Sequence, residues 1–262
     1  MLAEFGSPAI PNAFASQRRR AALVIPAWNE AGAIGAVLAE VPPDAVQWVF
    51  VVAGGSTDGT AEIARAYGAE VLGQARPGYG AACWAGAQAA AAVGAEIVAF
   101  LDGDYADPPA DLPRVLAPLL EGRADLALGR RSASRHSQAV PLHARLGNRL
   151  VTDLLRLLLK RRLHDLPSFK AIRLDCLAAL EMREMTYGWT TELIVKSIRA
   201  GLRIVEVPVS YRPRLAGSSK VSGTLRGSAG AAWKLCTCAL RYARWRARDA
   251  KPTAPAAREV VG

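Results

Sequence analysis

Short apolar segments alternate with helix-like segments along the first half of the chain, and this alternation constrains the fold more than any other feature. The apolar segments are Ala21–Ala27, Gln47–Ala53, Ala69–Gly73, Glu96–Asp102 and Ala124–Gly129. The predicted helices between them are Ala31–Glu40, Thr57–Tyr67, Gly80–Val93 and Pro108–Leu120. Strands that are apolar on both faces have to be covered on both faces. The pattern therefore predicts an α/β fold with a mainly parallel central sheet between helices.

The second half of the chain is organised differently. It has predicted helices at Pro141–Arg162 and Thr190–Ala200 and predicted strands at Phe169–Arg173 and Arg203–Tyr211. Pro208 interrupts the last strand, so we expect an edge strand or a bulge there, because proline cannot donate to a ladder. We predict a flexible arm over residues 1–20, a main domain over 21–215, a basic amphipathic helical extension over 216–248 and a flexible tail over 249–262.

Charge is distributed unevenly between the two halves. Residues 1–130 contain 8 Lys and Arg against 14 Asp and Glu, whereas residues 131–262 contain 25 against 9. Acidic clusters suit metal ions, and basic surfaces suit phosphate, nucleic acid or anionic lipid. The absence of any C-x-x-C pair among the four cysteines argues against a zinc ribbon and a disulfide scaffold. With no signal-peptide pattern, we expect a cytoplasmic location.

Polar residues interrupt the two longest apolar stretches, residues 81–101 and 150–159. Gln88 and Glu96 lie in the first stretch, and Asp153 and Arg156 lie in the second. We therefore predict no membrane-spanning helix, while peripheral contact with the inner face of the cell membrane stays open.

Two carboxylates directly after an apolar strand are the strongest chemical signal. Asp102 and Asp104 flank Gly103, and two carboxylates so close repel each other unless a cation neutralises them. Oxygen ligands of this kind suit Mg²⁺ or Mn²⁺, which also bridge to substrate phosphates. An acidic turn in which Asp107 caps the helix at Pro108 is the alternative interpretation.

The glycine-rich segments are less specific. In Gly54–Thr60, Thr57 or Asp58 could cap the next helix, although a helix N-terminus there also suits an anion. Gly78-Tyr79-Gly80 has Cys83 where a dinucleotide-binding motif has its third glycine. A dinucleotide site is therefore only weakly indicated.

Eight segments in order resemble the family 2 glycosyltransferases, in particular the branch of dolichol-phosphate mannose synthases and bacterial polyprenyl-phosphate glycosyltransferases. The segments are VIPAWNE (Val24–Glu30), GGSTDGTAEIA (Gly54–Ala64), RPGYGAACWAG (Arg76–Gly86), FLDGDYADPP (Phe100–Pro109), LALGRR (Leu126–Arg131), DLPSFKAIR (Asp165–Arg173), YGWTTELIVKSIRAGLRIVEVPVSYRPR (Tyr187–Arg214) and GSSKVSGTLRG (Gly217–Gly227). The resemblance runs from Ala21 to Leu235.

This resemblance implies a Rossmann-like GT-A fold, a UDP- or GDP-sugar donor, and Mg²⁺ or Mn²⁺ bound by Asp102 and Asp104. The nucleotide-sugar site that it implies consists of Pro26, Trp28, Glu30, Gly54, Asp102, Gly103, Asp104 and Arg130. The implied catalytic residues are Asp104, Arg130 and Glu192, where Glu192 matches a position that acts as a base in relatives with hydroxyl acceptors.

The resemblance also implies a polyprenyl-phosphate acceptor or another lipid acceptor, with inversion at the sugar. Candidates to bind its phosphate are Arg131, Arg145, Arg214 and Lys220, with Arg135 and Arg149 as further candidates. A phosphate is already ionised at neutral pH, so such an acceptor needs no dedicated base. The metal and the arginines would then act electrostatically on the leaving diphosphate.

One departure from the family pattern concerns nucleotide recognition. Relatives usually carry one or two acidic residues after the second strand, where this chain has Ala53 and Gly54. A soluble hydroxyl acceptor and a catalytically impaired nucleotide-binding protein therefore stay open as alternatives. We expect no nucleic-acid partner, because the basic half has no recognition helix and no aromatic-interleaved strand.

The segment Leu225–Arg248 alternates aromatic and basic residues and has two interpretations. Its aromatic residues either pack on the domain or lie in a membrane interface, with Trp233 and Trp245 at the level of the headgroups.

Overall fold

A computed structural model describes residues 20–131, 142–216 and 225–246, which form seven strands, eight α-helices and one short 3₁₀ helix (Pro109–Asp111). The strands are β1 (Ala21–Pro26), β2 (Trp48–Val52), β3 (Glu70–Leu72), β4 (Ile97–Phe100), β5 (Leu126–Arg131), β6 (Lys170–Arg173) and β7 (Ile204–Val209). The helices are α1 (Ala31–Ala39), α2 (Thr60–Ala66), α3 (Tyr79–Ala92), α4 (Leu112–Leu120), α5 (Leu142–Leu159), α6 (Leu174–Ala179), α7 (Trp189–Arg199) and α8 (Leu225–Tyr242).

The strands form one sheet in the order β3-β2-β1-β4-β6-β5-β7. Every neighbouring pair is parallel except the two pairs that β6 makes with β4 and β5. The predicted mainly parallel sheet is thus confirmed. The strand order reverses between β1 and β4, and in such sheets the crevice at the carboxyl ends of the two strands is where ligands bind.

Helices cover both faces of the sheet, which explains why its strands are apolar throughout. Along β1, Val24 belongs to one core with Phe100 and Trp189, whereas Leu23 and Ile25 belong to the opposite core. Because side chains alternate across a strand, each apolar run supplies both cores. The two cores anchor the strand ends from which the site is built.

The sequence-based element boundaries agree with the structure except in a few places. Helix α6 was not predicted, because six residues are too few to show helical periodicity. The antiparallel direction of β6 was also not predicted. Pro208 lies in β7, which is the edge strand opposite β3, as expected for a proline in a ladder.

Helix α8 packs against α5 and α7. Cys238, Ala239 and Tyr242 are buried, whereas Trp233 and Leu240 are 74% and 55% exposed. One face of the helix therefore packs on the domain, and another face is open to solvent. Across the described residues, no helix combines the length and the apolar character that crossing a bilayer requires.

Candidate active site

Several of the predicted nucleotide-sugar residues lie at the carboxyl edge of the sheet, around the point where the strand order reverses. Pro26 ends β1, Gly54 lies just beyond β2, and Asp102 lies just beyond β4. Gly103 packs against the end of β1, since a Cβ there would lie 3.2 Å from the Cβ of Ala27. Four of the residues that the resemblance assigns to the nucleotide sugar, Pro26, Gly54, Asp102 and Gly103, thus lie at one edge of the sheet.

The loops after β1 and β2 are joined by hydrogen bonds. Trp28 Nε1 donates to the carbonyl of Gly55 (3.2 Å), although the side chain stays 54% exposed. The amide of Glu30 donates to Thr60 Oγ1 (2.9 Å). These contacts hold an exposed indole ring over the edge of the sheet, where it is well placed to stack on a planar ligand.

Asp58 also joins the two loops. Its carboxylate accepts hydrogen bonds from the amide of Ala31, at the start of α1, and from Thr60, at the start of α2. Burial alone would raise the pKa of Asp58, but these hydrogen bonds outweigh it and lower the pKa. The acidic residue of this loop is therefore engaged in protein structure, in line with the capping interpretation.

The positions that depart from the family pattern have close packing in this chain. Ala53 is buried in the core on the α1 side of the sheet. At Gly54, a Cβ would lie 2.8 Å from Gln74 Cγ and 2.9 Å from the backbone nitrogen of Gln74. A carboxylate side chain therefore does not fit at Gly54 unless the loop after β3 moves.

Three carboxylates lie in the loop after β4. Burial, together with the charges of Asp104 and Asp107, raises the pKa of Asp102 to about 7, against the opposing effect of Lys170 and Arg214. Asp102 Oδ1 is buried and has no hydrogen-bond partner among the described residues. Asp104 accepts hydrogen bonds from Arg214 Nη2 (2.7 Å) and from the amide of Ala106 (2.9 Å).

Asp107 does not cap the following helix. Its Oδ2 accepts a hydrogen bond from Ser168 Oγ (2.6 Å), and burial raises its pKa to about 6. The acidic-turn alternative is therefore not supported at this residue.

These observations test whether the site suits a divalent cation. An orphaned, buried carboxylate oxygen beside a second carboxylate is the environment that a hard cation stabilises. The described residues contain no group of three or more candidate metal ligands. Asp102 and Asp104 therefore fit a cation that takes its remaining ligands from water and from the phosphates of a substrate.

A buried lysine lies beneath the acidic loop. Lys170 is fully buried, donates to the carbonyl of Ser168 (2.8 Å), and lies 5.6 Å from the Tyr79 ring and 5.5 Å from the Trp189 ring. Burial lowers its pKa, and the charges of Cys83, Asp102 and Asp107 oppose this shift. Lys170 therefore supplies positive charge to the acidic loop from inside the core.

The two arginines at the end of β5 have different surroundings. Arg131 Nε and Nη2 donate to both oxygens of Asp165 (2.7 and 2.5 Å), and its guanidinium lies over the ring of Tyr211. Although burial opposes it, these contacts raise the pKa of Arg131. Arg130 extends to the opposite face of the sheet, because neighbours along a strand alternate.

The segment after β7 folds over the acidic loop. The amide of Leu215 donates to the carbonyl of Asp104 (3.3 Å), and the amide of Arg212 donates to the carbonyl of Ala106 (3.0 Å). Arg212 also pairs with Glu40 (2.7 Å) and lies 3.3 Å from the centre of the Tyr105 ring. This segment brings Arg214 into an ion pair with Asp104. The sequence-based prediction had instead assigned Arg214 to an acceptor phosphate.

Glu192 lies inside the protein. It is fully buried, pairs with Lys196 Nζ (2.7 Å), and accepts hydrogen bonds from the amides of Arg183 and Glu184. Both carboxylate oxygens are thus engaged in fixing the loop before α7. Its assignment as a catalytic residue stays a prediction, and the geometry favours a positioning role.

The glycines of Gly78-Tyr79-Gly80 serve close packing between backbones. A Cβ at Gly78 would lie 2.3 Å from the carbonyl oxygen of Met185, and one at Gly80 would lie 2.5 Å from that of Glu184. The motif joins the start of α3 to the loop before α7, which agrees with the weak indication for a dinucleotide site.

Some predicted phosphate-binding residues are not brought to this site by the described structure. Arg149 is exposed and pairs with Asp153 at 3.8 Å. Arg135 and Lys220, and the side chain of Arg145, lie outside the described residues, as do the predicted arm and tail.

The sequence-based prediction missed Lys170, Asp107 and Asp165 as site residues. Because β6 runs antiparallel to its neighbours, its first residues lie at the edge where the other strands end. The only signal in the sequence is that Asp165–Arg173 belongs to one of the motifs shared with the family.

Comparisons with known proteins identify the family of this chain. The model of the family described as "Glycosyl transferase family 2" matches residues 22–178. An uncharacterized glycosyltransferase of Mycobacterium tuberculosis is 41% identical over 79% of this chain and 91% of the relative. A dolichyl-phosphate hexose transferase of Haloferax volcanii is 35% identical over 79% of this chain and 89% of the relative. An undecaprenyl-phosphate mannosyltransferase of Micrococcus luteus is 30% identical over 80% of this chain and 90% of the relative.

Solved structures show the fold class. Glucosyl-3-phosphoglycerate synthase from Mycobacterium tuberculosis, in complex with Mn²⁺, UDP and glucosyl-3-phosphoglycerate, aligns with a TM-score of 0.70 at 23% identity. The alignment covers 92% of this chain and 86% of that chain. The GT-A fold expected from the sequence is thus confirmed.

Proposed function

The chain belongs to glycosyltransferase family 2, and from this premise we propose that it transfers a sugar from a UDP- or GDP-sugar to a polyprenyl phosphate, with inversion at the anomeric carbon. The observation that carries the proposal is the pair of Asp102 and Asp104 at the strand-order reversal, with Asp102 Oδ1 orphaned and buried.

The donor half of the proposal rests on the acidic loop and the loops beside it. Asp102 and Asp104 would hold Mg²⁺ or Mn²⁺, which when bound neutralises charge on the leaving diphosphate. Trp28 is exposed beside Gly55 and offers a flat surface to the base. Arg130 remains the predicted phosphate contact.

The acceptor half rests on the chemistry of the attacking group. A phosphate oxygen forms the new bond to the anomeric carbon while the bond from that carbon to the donor diphosphate breaks, and the nucleoside diphosphate leaves. A phosphate is ionised at neutral pH, so the step balances without a proton acceptor from the protein. Glu192, whose oxygens are occupied by Lys196 and two backbone amides, fits a reaction of this kind.

A surface suited to a lipid acceptor lies on α5 and α8, which pack together. Among its described side chains, each helix has two large exposed apolar residues seven positions apart, Leu150 and Leu157 on α5 and Trp233 and Leu240 on α8. Exposed basic residues lie on these helices, at Arg149, Arg156 and Arg241, or just beyond their ends, at Lys160 and Arg244. Apolar side chains among basic ones favour peripheral contact with an anionic bilayer.

This surface is connected to the site through the loop before α7. Lys234 Nζ lies 4.6 Å from the centre of the Tyr187 ring. The neighbouring residues of that loop pack on the start of α3, at the carboxyl edge of the sheet. The contacts favour an acceptor that enters from the lipid surface, in agreement with the names of the archaeal and bacterial relatives.

A soluble hydroxyl acceptor is the second candidate. It is favoured by the fold shared with glucosyl-3-phosphoglycerate synthase, which was crystallised with a soluble acceptor product. A hydroxyl acceptor needs a group that takes up its proton. The residue predicted for that role, Glu192, has no exposed surface, so the geometry favours the phosphate acceptor.

The test is a partition assay with radiolabelled UDP- and GDP-sugars, Mn²⁺ or Mg²⁺, and polyprenyl phosphate in detergent. We expect a metal-dependent product that moves to the organic phase with one of the two nucleotide classes. EDTA and Asp102→Asn should each abolish it, and Asp44→Asn, at an exposed position, should not. Label in an aqueous product with a hydroxyl acceptor, or no transfer at all, would contradict the proposal.

A further inference from the structure

A side chain of the loop after β3, Gln74, lies next to Gly54 of the predicted nucleotide site, and no motif pointed to it. Gln74 lies two residues beyond β3, and β3 pairs with β2, so its loop and the loop after β2 lie at the same edge. The position that a Cβ of Gly54 would occupy lies 2.8 Å from Gln74 Cγ and 3.5 Å from Gln74 Cδ. The half-buried glutamine thus fills the space that a larger residue 54 would need.

Gln74 and Trp28 contact the same two-glycine turn. Trp28 Nε1 donates to the carbonyl of Gly55, and Gln74 packs on the adjacent Gly54. An exposed aromatic ring and a carboxamide on one turn combine a stacking surface with a hydrogen-bonding edge. This is the pair of contacts that a planar heterocycle with polar edges requires.

We propose that the carboxamide of Gln74 forms hydrogen bonds with the base of the nucleotide sugar and selects uracil over guanine. In this role it replaces the carboxylate that is missing at residues 53 and 54. This inference rests on the proposed function, because it needs a nucleotide-sugar donor at the same edge of the sheet.

The preference for uracil follows from the hydrogen-bond donors and acceptors of a carboxamide compared with those of a carboxylate. A carboxylate only accepts hydrogen bonds, and the adjacent N1–H and N2–H groups of guanine match its two oxygens. A carboxamide accepts with one atom and donates with the other. It pairs with N3–H and a neighbouring carbonyl of uracil, whereas it leaves one N–H of guanine without an acceptor.

The test measures the affinity of UDP and GDP in the presence of Mn²⁺ by calorimetry, using the full chain. We expect the wild type to bind UDP more tightly than GDP. Gln74→Glu should reduce the preference for UDP over GDP by about tenfold, since a carboxylate repels the uracil carbonyl and accepts from guanine. Gln74→Ala should weaken UDP binding by about tenfold, because it removes both hydrogen bonds.

The control is Gln88→Glu, which adds the same charge change at an exposed position of α3. Thermal unfolding of each variant confirms that it is folded. A wild-type preference for GDP, or an unchanged ratio in both Gln74 variants, would overturn the role of Gln74 and leave the transferase proposal intact. Failure of both nucleotides to bind the wild type would overturn both.

Discussion

Nη2 of Arg214 lies 2.7 Å from Oδ2 of Asp104, so the second carboxylate of the acidic loop has a counter-ion from the segment that follows β7. The side chain of Asp104 is only 5% exposed, so removing either partner would leave a poorly solvated charge without a counter-ion. A cation at this loop therefore has to share Asp104 with Arg214 or displace it.

Replacing Arg214 by alanine should change metal binding in a direction that a purely structural role does not predict. Removing the competing guanidinium leaves an uncompensated carboxylate, so we expect Mn²⁺ alone to bind about threefold more tightly than to the wild type. Calorimetry without nucleotide measures this, with Arg65→Ala as the control, because Arg65 is exposed and pairs with the exposed Glu62. Unchanged or weaker Mn²⁺ binding would contradict the competition.

Asp102→Asn should stabilise the metal-free protein while abolishing metal-dependent nucleotide binding. At pH 8 the carboxyl is ionised in a buried position where its pKa is raised to about 7, so a neutral amide relieves an unfavourable charge. We expect the unfolding temperature in EDTA to rise by about 2–4 °C. The further rise produced by Mn²⁺ with UDP or GDP should disappear. A lower unfolding temperature in EDTA, or a remaining rise with Mn²⁺ and nucleotide, would contradict the role of Asp102 as a buried metal ligand.

The affinity for Mn²⁺ should depend on pH through Asp102. Its raised pKa means that the metal-free folded protein loses stability as the pH rises from 3.8 through about 7. The charged groups that act on Asp102 are Asp104, Asp107, Lys170 and Arg214. Because the cation competes with the proton, its affinity should fall by about tenfold for each pH unit below that pKa. Titrations at pH 6, 7 and 8 measure the effect, and equal affinity at all three would exclude Asp102 as a ligand.

Lysine substitutions should separate the roles of Arg130 and Arg131. Arg131→Lys breaks a bidentate ion pair with Asp165 and a stacked contact with Tyr211, and we expect it to cost about 1–3 kcal/mol of unfolding free energy. Arg130→Lys should leave stability within about 0.5 kcal/mol and raise the KM for the donor several-fold. Denaturant unfolding and steady-state kinetics distinguish the two. Equal stability of both variants would show that the Asp165 pair contributes little.

Serine substitutions on α5 and α8 should reduce binding to anionic membranes. Trp233 and Leu157 are 74% and 78% exposed, so replacing both removes apolar surface without disturbing the core. We expect the double variant to sediment with phosphatidylglycerol vesicles about tenfold less strongly than the wild type. Val93→Ser, at the end of α3, is the matched control at an exposed apolar position. Equal sedimentation of the double variant and the control would contradict a membrane-facing surface.

Much of the fold was predictable because it depends on local patterns. The parallel strands of the first half are apolar on both faces, and the helices between them have helical spacing and clear breaks. Asp102 and Asp104 were found for the same reason, since they directly follow a strand whose end is visible in the sequence. Helix α6 has no such pattern in its six residues.

The sequence by itself determined the α/β class, the strand ends at which the loops meet, and the family to which the motifs belong. The tertiary structure decided which of the charged residues act together. It paired Arg131 with Asp165, brought Arg214 onto Asp104, and buried Glu192 with Lys196. It also placed Lys170 below the acidic loop, because β6 runs antiparallel. Charge pairing depends on distances between segments that are remote along the chain, and no local pattern encodes such distances.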